Sequence, residues 1–296
     1  MKAVYSSDLH GDVRLYRQLQ ELSIASSADI LALGGDLFPS FAPSGRYAEM
    51  IPHQRSFAEQ FLVPFFDTLI RTTSIESIFL LPGNWDLGYP HLFSGLTRNV
   101  FDLDRKHLRL KNGYELIGYP FVPPTPFRPK DFEKRDDEES PWPPQKNPSY
   151  VRSPGRDGEI APVDPCLYLK DRGTIRDDLK DLPKPLDFNR AICVMHSPPY
   201  GTGLDVMEGK TFTGSRSIRS FIEKRQPLAT LHGHIHEAPE ISGTYVDAIG
   251  QTLCINPGQF SLSEEDPPRL HAVTFEMENI RQTLRHTCYG SLINDQ

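Results

Sequence analysis

Short apolar runs, each ending on a polar tip, set the rhythm of the first 90 residues. Residues 2–6 read as a strand that runs out into Asp8-Leu9-His10. Leu15, Tyr16, Leu19 and Leu22 then recur at helical spacing. Residues 29–33 form a second apolar run, ending at Gly34-Gly35-Asp36, and residues 77–81 a third, ending at Pro82-Gly83-Asn84. Between them Phe57, Phe61, Leu62, Phe65, Phe66, Leu69 and Ile70 predict a long amphipathic helix with a kink at Pro64. Strands alternating with helices predict an α/β fold, with a mostly parallel inner sheet and helices outside. Ligands of such sheets bind beyond the carboxyl ends of the strands, where these polar tips fall.

The middle of the chain breaks that rhythm. Residues 120–165 hold twelve prolines, with a charge run at 130–139 inside them. Residues 120–187 therefore read as an insertion: a lid, an arm or a partly disordered segment. Its aromatic residues Phe121, Phe127, Phe132, Trp142 and Tyr150 either cover a cleft or pack the arm on the body. Regular patterning returns at 191–195, with a helix near 217–224 and a run at 228–231. The tail (244–247, 252–255, 270–275 and 282–286) predicts strands of a second sheet. No internal repeat or linker divides the chain, so residues 1–296 read as one domain.

Composition narrows the class. Hydrophobic residues make up 38% and charged residues 24%, the balance of a soluble globular protein. A net charge of −7 counts against a broad nucleic-acid footprint, which needs a basic face. The four cysteines (Cys166, Cys193, Cys254, Cys288) have no C-x-x-C spacing, and two lie in apolar runs. They read as free thiols of a reducing compartment. No leader-like or membrane-spanning stretch is present in the sequence, so a cytoplasmic location is expected.

The polar tips carry the candidate chemistry. Asp8 and His10 alternate along what reads as extended chain and so can face one ion. Asp36 follows two glycines that let the backbone turn sharply. Asn84 stands in a Pro-Gly-Asn turn, and His196 follows a buried run and precedes Ser197-Pro198-Pro199. His234 and His236, two apart behind Gly233, form a bidentate pair. Taken singly, each has a plain structural explanation: a strand end, a turn residue or a core histidine. His232 shares the parity of His234 and His236 but lies one step deeper, in the core or behind the ligands.

In this order the blocks resemble the calcineurin-like metallophosphoesterase superfamily, which carries D-x-H, G-D, G-N-H-[DE], a later H and G-H-x-H. The stretches His196-Ser197-Pro198-Pro199-Tyr200-Gly201-Thr202-Gly203 and His232-Gly233-His234-Ile235-His236-Glu237 look close to a branch of small phosphodiesterase-like proteins. The resemblance implies a four-layer α/β/β/α sandwich of two mixed sheets flanked by helices. It puts Asp8, His10 and His236 on one divalent ion and Asn84, His196 and His234 on a second, with Asp36 bridging. Manganese is the first choice of metal, with iron, zinc, cobalt or nickel as alternatives. The implied reaction is in-line attack by a hydroxide bridging the two ions on a phosphate ester, a diester ahead of a monoester. Asp36, Asn84, Asp86 and His196 are its candidate catalytic residues. A small phosphate ester or nucleotide is the expected partner, rather than nucleic acid or membrane.

One residue departs from the pattern. Trp85 stands where most of the family has a histidine near the leaving oxygen. An indole N–H donates a hydrogen bond but delivers no proton. Three readings stay open: a good leaving group, donation by His53 or His91, or vestigial catalysis in a metal-binding scaffold. Asp86 would then either cap the following segment or retain an orienting role.

Overall fold

The computed structural model describes residues 1–92, 99–142, 146–154, 158–259 and 268–288. Two six-stranded mixed sheets form its centre. In chain order the strands are β1 (Lys2–Ser6), β2 (Ile30–Leu33), β3 (Ser77–Leu80), β4 (Val100–Asp102), β5 (His107–Arg109), β6 (Glu115–Tyr119), β7 (Ser149–Arg152), β8 (Ile160–Val163), β9 (Ala191–Met195), β10 (Val206–Met207), β11 (Thr211–Phe212), β12 (Ala229–Leu231), β13 (Val246–Ile249), β14 (Thr252–Ile255), β15 (His271–Glu276) and β16 (Arg285–Cys288). The first sheet runs β16-β15-β1-β2-β3-β4 and the second β13-β14-β12-β9-β6-β5. In each, four neighbouring strands are parallel, with antiparallel strands added at the margins. The tail is shared: β13 and β14 extend the second sheet, whereas β15 and β16 complete the first.

Strand alternation builds the layers. Ala3, Tyr5, Ile30, Ala32 and Phe79 of the first sheet pack against Leu116, Ile192, Val194, Leu231 and Ile255 of the second. The intervening residues Val4, Leu31, Leu33, Ile78 and Leu80 face outward onto helices. These helices are α1 (Val13–Ser26) and the stretch formed by α2 (Met50–Phe57), a π-helical turn (Ala58–Leu62) and α3 (Val63–Thr72). Pro64 has no backbone N–H to give to the ladder, and the π turn lies immediately before it. The helix begins at Met50, so His53 lies within it rather than ahead of it. A short helix after β3, α4 (Tyr89–Leu92), carries His91.

On the far side, Ile117, Tyr119, Cys193, Met195 and Cys254 pack against Ile175, Leu179, Ile218, Phe221 and Ile222. This outer layer follows α5 (Pro165–Lys170) and consists of α6 (Ile175–Asp181) and α7 (Arg216–Arg225). Two short helices, α8 (Ala238–Ser242) and α9 (Ile280–Thr283), complete the described set. The arrangement is the four-layer α/β/β/α sandwich. Among the described residues, no helix is long and apolar enough to cross a membrane. All four cysteines are free, with Cys193 and Cys254 buried.

The insertion is more ordered than its composition suggests. Its described part holds the β7–β8 hairpin, α5 and α6, and α6 belongs to the outer layer. Residues 143–145 and 155–157 lie outside the description. The charge run is partly internal: Lys130, Glu133, Lys134 and Asp136 are buried. Lys130 and Glu133 pair at 2.9 Å. Asp136 accepts from the backbone N–H groups of Arg216 at 2.8 Å and Ser217 at 3.2 Å, at the start of α7. Charges with such partners are held inside, which is why a polar run here does not make a solvated loop.

Candidate metal centre

The registers of the two sheets bring the polar tips together. Ser6 pairs with Leu33 and Leu33 with Leu80, so β1, β2 and β3 end at one level. Asp8, Asp36 and Asn84 leave from that edge. In the second sheet Val194 pairs with Leu231, so His196 and the 232–236 segment leave from the matching edge. Hydrogen bonds stitch the two edges together. The Tyr5 hydroxyl donates to the His232 carbonyl at 2.9 Å, and the His234 N–H donates to both Asp8 carboxylate oxygens at 3.0 Å.

Ligating atoms of Asp8, His10, Asp36 and His236 all lie within 4.8 Å of one another. The Nε2 atoms of His10 and His236 stand 3.1 Å apart, and His236 Nε2 is 3.3 Å from Asp8 Oδ1. Asp36 Oδ2 faces two sides at once, 3.7 Å from His10 Nε2 and 3.5 Å from His196 Nε2. The His196 and His234 rings lie 5.2 Å apart. Asn84 Oδ1 and His196 Nε2 are buried without a hydrogen-bond partner. Buried polar atoms left open beside two carboxylates are what a cation would satisfy. The donor set of carboxylate, amide and imidazole fits a first-row divalent ion.

Surrounding groups orient the rings. His196 Nδ1 meets the Gly34 carbonyl at 2.8 Å, leaving Nε2 to face Asp36. His10 Nδ1 meets Ser40 Oγ at 2.6 Å, leaving Nε2 toward His236. Such contacts fix tautomer and aim in metal-binding histidines. Asp36 Oδ1 accepts from the Trp85 N–H at 2.9 Å, so its other oxygen stays free.

The buried carboxylates set the proton affinities of the rings around them. Burial opposes charge on His196, but the Asp36 carboxylate beside it, helped by Asp8, pushes it up to about 9. His236 also rises against its burial, drawn by Asp8. Burial pushes His234 down to about 3, with the His196 charge adding to it, and burial likewise lowers His10. Both carboxyls stay low despite burial, Asp8 through His236 and Asp36 through His196.

Several expectations change in detail. Asp8 and His10 do not alternate along a strand, because β1 ends at Ser6 and both take positive φ, 59° and 44°. The 234–236 tip is not extended either, since His234 has φ 69°. Asp86 neither lines the cleft nor caps the following segment. Its buried carboxylate accepts from the backbone N–H groups of Leu37 and Gly83 at 2.9 Å and Phe38 at 3.0 Å. It ties two site loops together, and burial followed by the Asp36 charge pushes it up to about 8. His232 is fully buried, with Nδ1 2.9 Å from the Met195 and Ser197 carbonyls, a supporting residue as expected. His91 Nδ1 meets the Arg55 guanidinium at 3.0 Å. Neither His91 nor His53 lines the cleft.

The cleft over the site has a volume of about 520 Å³. One wall comes from the start of the insertion, through Pro123, Pro124 and Phe127, and another from Phe41 and Trp85. Sequence reasoning missed Ser40, Phe41 and Met207, which have no motif and reach the site only through folding.

The fold is shared with solved structures. TT1561 of Thermus thermophilus is 17% identical, with TM-score 0.53 over 97% of this chain and 98% of that one. A dimetal phosphatase from Danio rerio is 11% identical, with TM-score 0.51 over 93% and 91%. A third solved chain is 16% identical, with TM-score 0.58 over 98% and 99%. No curated protein matches the sequence. The family model described as calcineurin-like phosphoesterase matches residues 1–238, which include every residue of the candidate centre. The chain belongs to the calcineurin-like phosphoesterase family.

Proposed function

We propose that the protein is a dinuclear-metal phosphodiesterase. The observation that carries this reading is Asp36, one carboxylate oxygen of which faces His10 on one side and His196 on the other. This two-sided placement supports a bridging role for Asp36. Asp8, His10 and His236 would hold one ion and Asn84, His196 and His234 the other. Divalent ions bound there supply Lewis acidity and a nucleophile derived from water near neutral pH. The protein's share is positional. Gly34 and Ser40 aim the imidazoles, Asp86 holds the loops, and Trp85 N–H turns Asp36. Manganese suits this thiolate-free donor set, as do iron, zinc, cobalt and nickel.

A diester is favoured over a monoester by charge. Among the described residues, no lysine or arginine lines the cleft to meet a second phosphate charge. The same lack counts against a nuclease, which would track a backbone with basic side chains. The buried free thiols Cys193 and Cys254 support a cytoplasmic location. The test loads the full chain with Mn²⁺ and follows hydrolysis of an activated phosphodiester. His196→Ala and Asp36→Asn are expected to cut kcat at least about 100-fold. Metal binding with no turnover above the His196→Ala rate would instead leave a binding scaffold.

A further inference from the structure

The wall beside the candidate centre is apolar and aromatic. The Phe41 ring lies 5.1 Å and the Phe127 ring 5.3 Å from that of Trp85. The three come from separate segments: the loop after β2, the loop after β3 and the insertion. Phe41 and Phe127 stay 57% and 42% exposed, and Met207 at the rim 37%. Large apolar groups left in water around a cleft mark a contact surface rather than core.

The same wall is poor in proton donors. Outside the seven candidate ligands, Glu237 is the one titratable side chain among the described lining residues. An alkoxide leaving group has a conjugate acid about as weak as water and needs a proton as it departs. A phenolate has a conjugate acid of about 10 and departs without one. A pyrophosphate is also a good leaving group, but its extra anionic oxygens would meet a wall without cations and with Glu237.

We propose that the substrate is a phosphodiester of an aromatic alcohol, its aryl group seated on Trp85, Phe41 and Phe127. This rests on the phosphodiesterase reading above. Water oxygen forms the new bond to phosphorus while the bond from phosphorus to the aryl oxygen breaks. The aryl oxygen leaves with the electron pair as a phenolate, and its proton comes from solvent. The proton lost by the attacking water returns to solvent. The products are a phosphomonoester and a phenol.

The test compares methyl aryl phosphodiesters with a methyl alkyl diester on the Mn²⁺-loaded full chain. It adds calorimetry with methyl benzylphosphonate, in which CH₂ replaces the aryl ester oxygen. Phe41→Ala and Phe127→Ala are each expected to weaken phosphonate binding and raise the aryl KM about fivefold. Trp85→His removes one wall of the aryl seat and supplies a proton donor, so it is expected to raise the alkyl rate about 100-fold and to raise the aryl KM about fivefold. Diester turnover with no dependence on the two phenylalanines sinks the aryl site and leaves the phosphodiesterase reading standing. Phosphonate binding that depends on both rings, with no diester turned over, sinks the phosphodiesterase reading and keeps the aryl site. A wild-type alkyl rate near the aryl rate, abolished by Glu237→Gln, assigns the proton to Glu237 and overturns the proposal.

Discussion

At the scale of single residues, backbone strain and the candidate centre coincide. Eight described non-glycine residues have positive φ, and four of them are Asp8, His10, Asp36 and His234. Left-handed backbone costs about 1–3 kcal/mol at such residues and persists where the surroundings enforce it. It turns each side chain inward from the end of a strand. The glycines beside the ligands are just as constrained. A Cβ on Gly233 would lie 2.0 Å from Ser7 Oγ and 2.3 Å from Asp8 Oδ2. Gly233→Ala is therefore expected to displace Asp8 and weaken Mn²⁺ binding more than about tenfold while far-UV circular dichroism stays unchanged. Ser40→Ala frees the His10 ring and is expected to weaken binding about 10–100-fold by the same calorimetric measure. Motif spacing exposed every candidate ligand in the sequence. It hid the conformations, because a D-x-H on a strand and a D-x-H on a left-handed turn are written alike.

At the scale of elements, the insertion is held by a buried ion pair. Lys130 Nζ donates to both Glu133 carboxylate oxygens at 2.9 and 3.0 Å and to the Thr125 carbonyl at 2.9 Å. It also donates to the Phe127 carbonyl. Glu133 in turn accepts from the Thr125 hydroxyl at 2.6 Å. The pair pins the turn that carries Phe127 to the cleft. Burial pushes Glu133 up to about 7 and lowers Lys130, and their mutual attraction works against both shifts. Lys130→Met leaves Glu133 buried alone and is expected to cost about 3–5 kcal/mol in urea unfolding. The double change Lys130→Met with Glu133→Leu should cost less, since no lone charge remains. An equal loss in both proteins would show that packing, not charge, holds the turn. Composition concealed this element: prolines and charges read as loop when their partners are out of view.

At the scale of the whole molecule, one chain end closes the first sheet. β15 lies beside β1 and β16 beyond it, and the Ser6 hydroxyl donates to the His271 carbonyl at 2.8 Å. His271 is buried, with Nε2 3.4 Å from Cys288 Sγ. Burial, followed by the charge of His286, pushes it down to about 4. An unfolded histidine titrates near 6.5 and so takes up its proton first. Stability from this group is complete above pH 6.5 and drains away as pH falls through about 4, at most about 3 kcal/mol. Denaturant midpoints measured from pH 7 to 4 should show this slope, and His271→Gln should reduce it, the rest belonging to His232 and His234. An unchanged slope in that variant would place the acid sensitivity elsewhere.

Some of this is local, and the chain carries it residue by residue. β1, β2 and β9 are apolar runs buried on both faces, so the sequence marks them as inner strands, while which face meets the other sheet and which the helices is set by packing. The ligand types at the strand ends are equally plain, because their chemistry resides in the side chains. What folding alone decides is where those ends meet. The matching registers of the two sheets, with Ser6 level with Leu33 and Val194 level with Leu231, set residues 226 positions apart against each other. Phe41 and Phe127 join Trp85 only there. Contacts at that separation depend on packing between distant elements, and no local window of the sequence contains both partners.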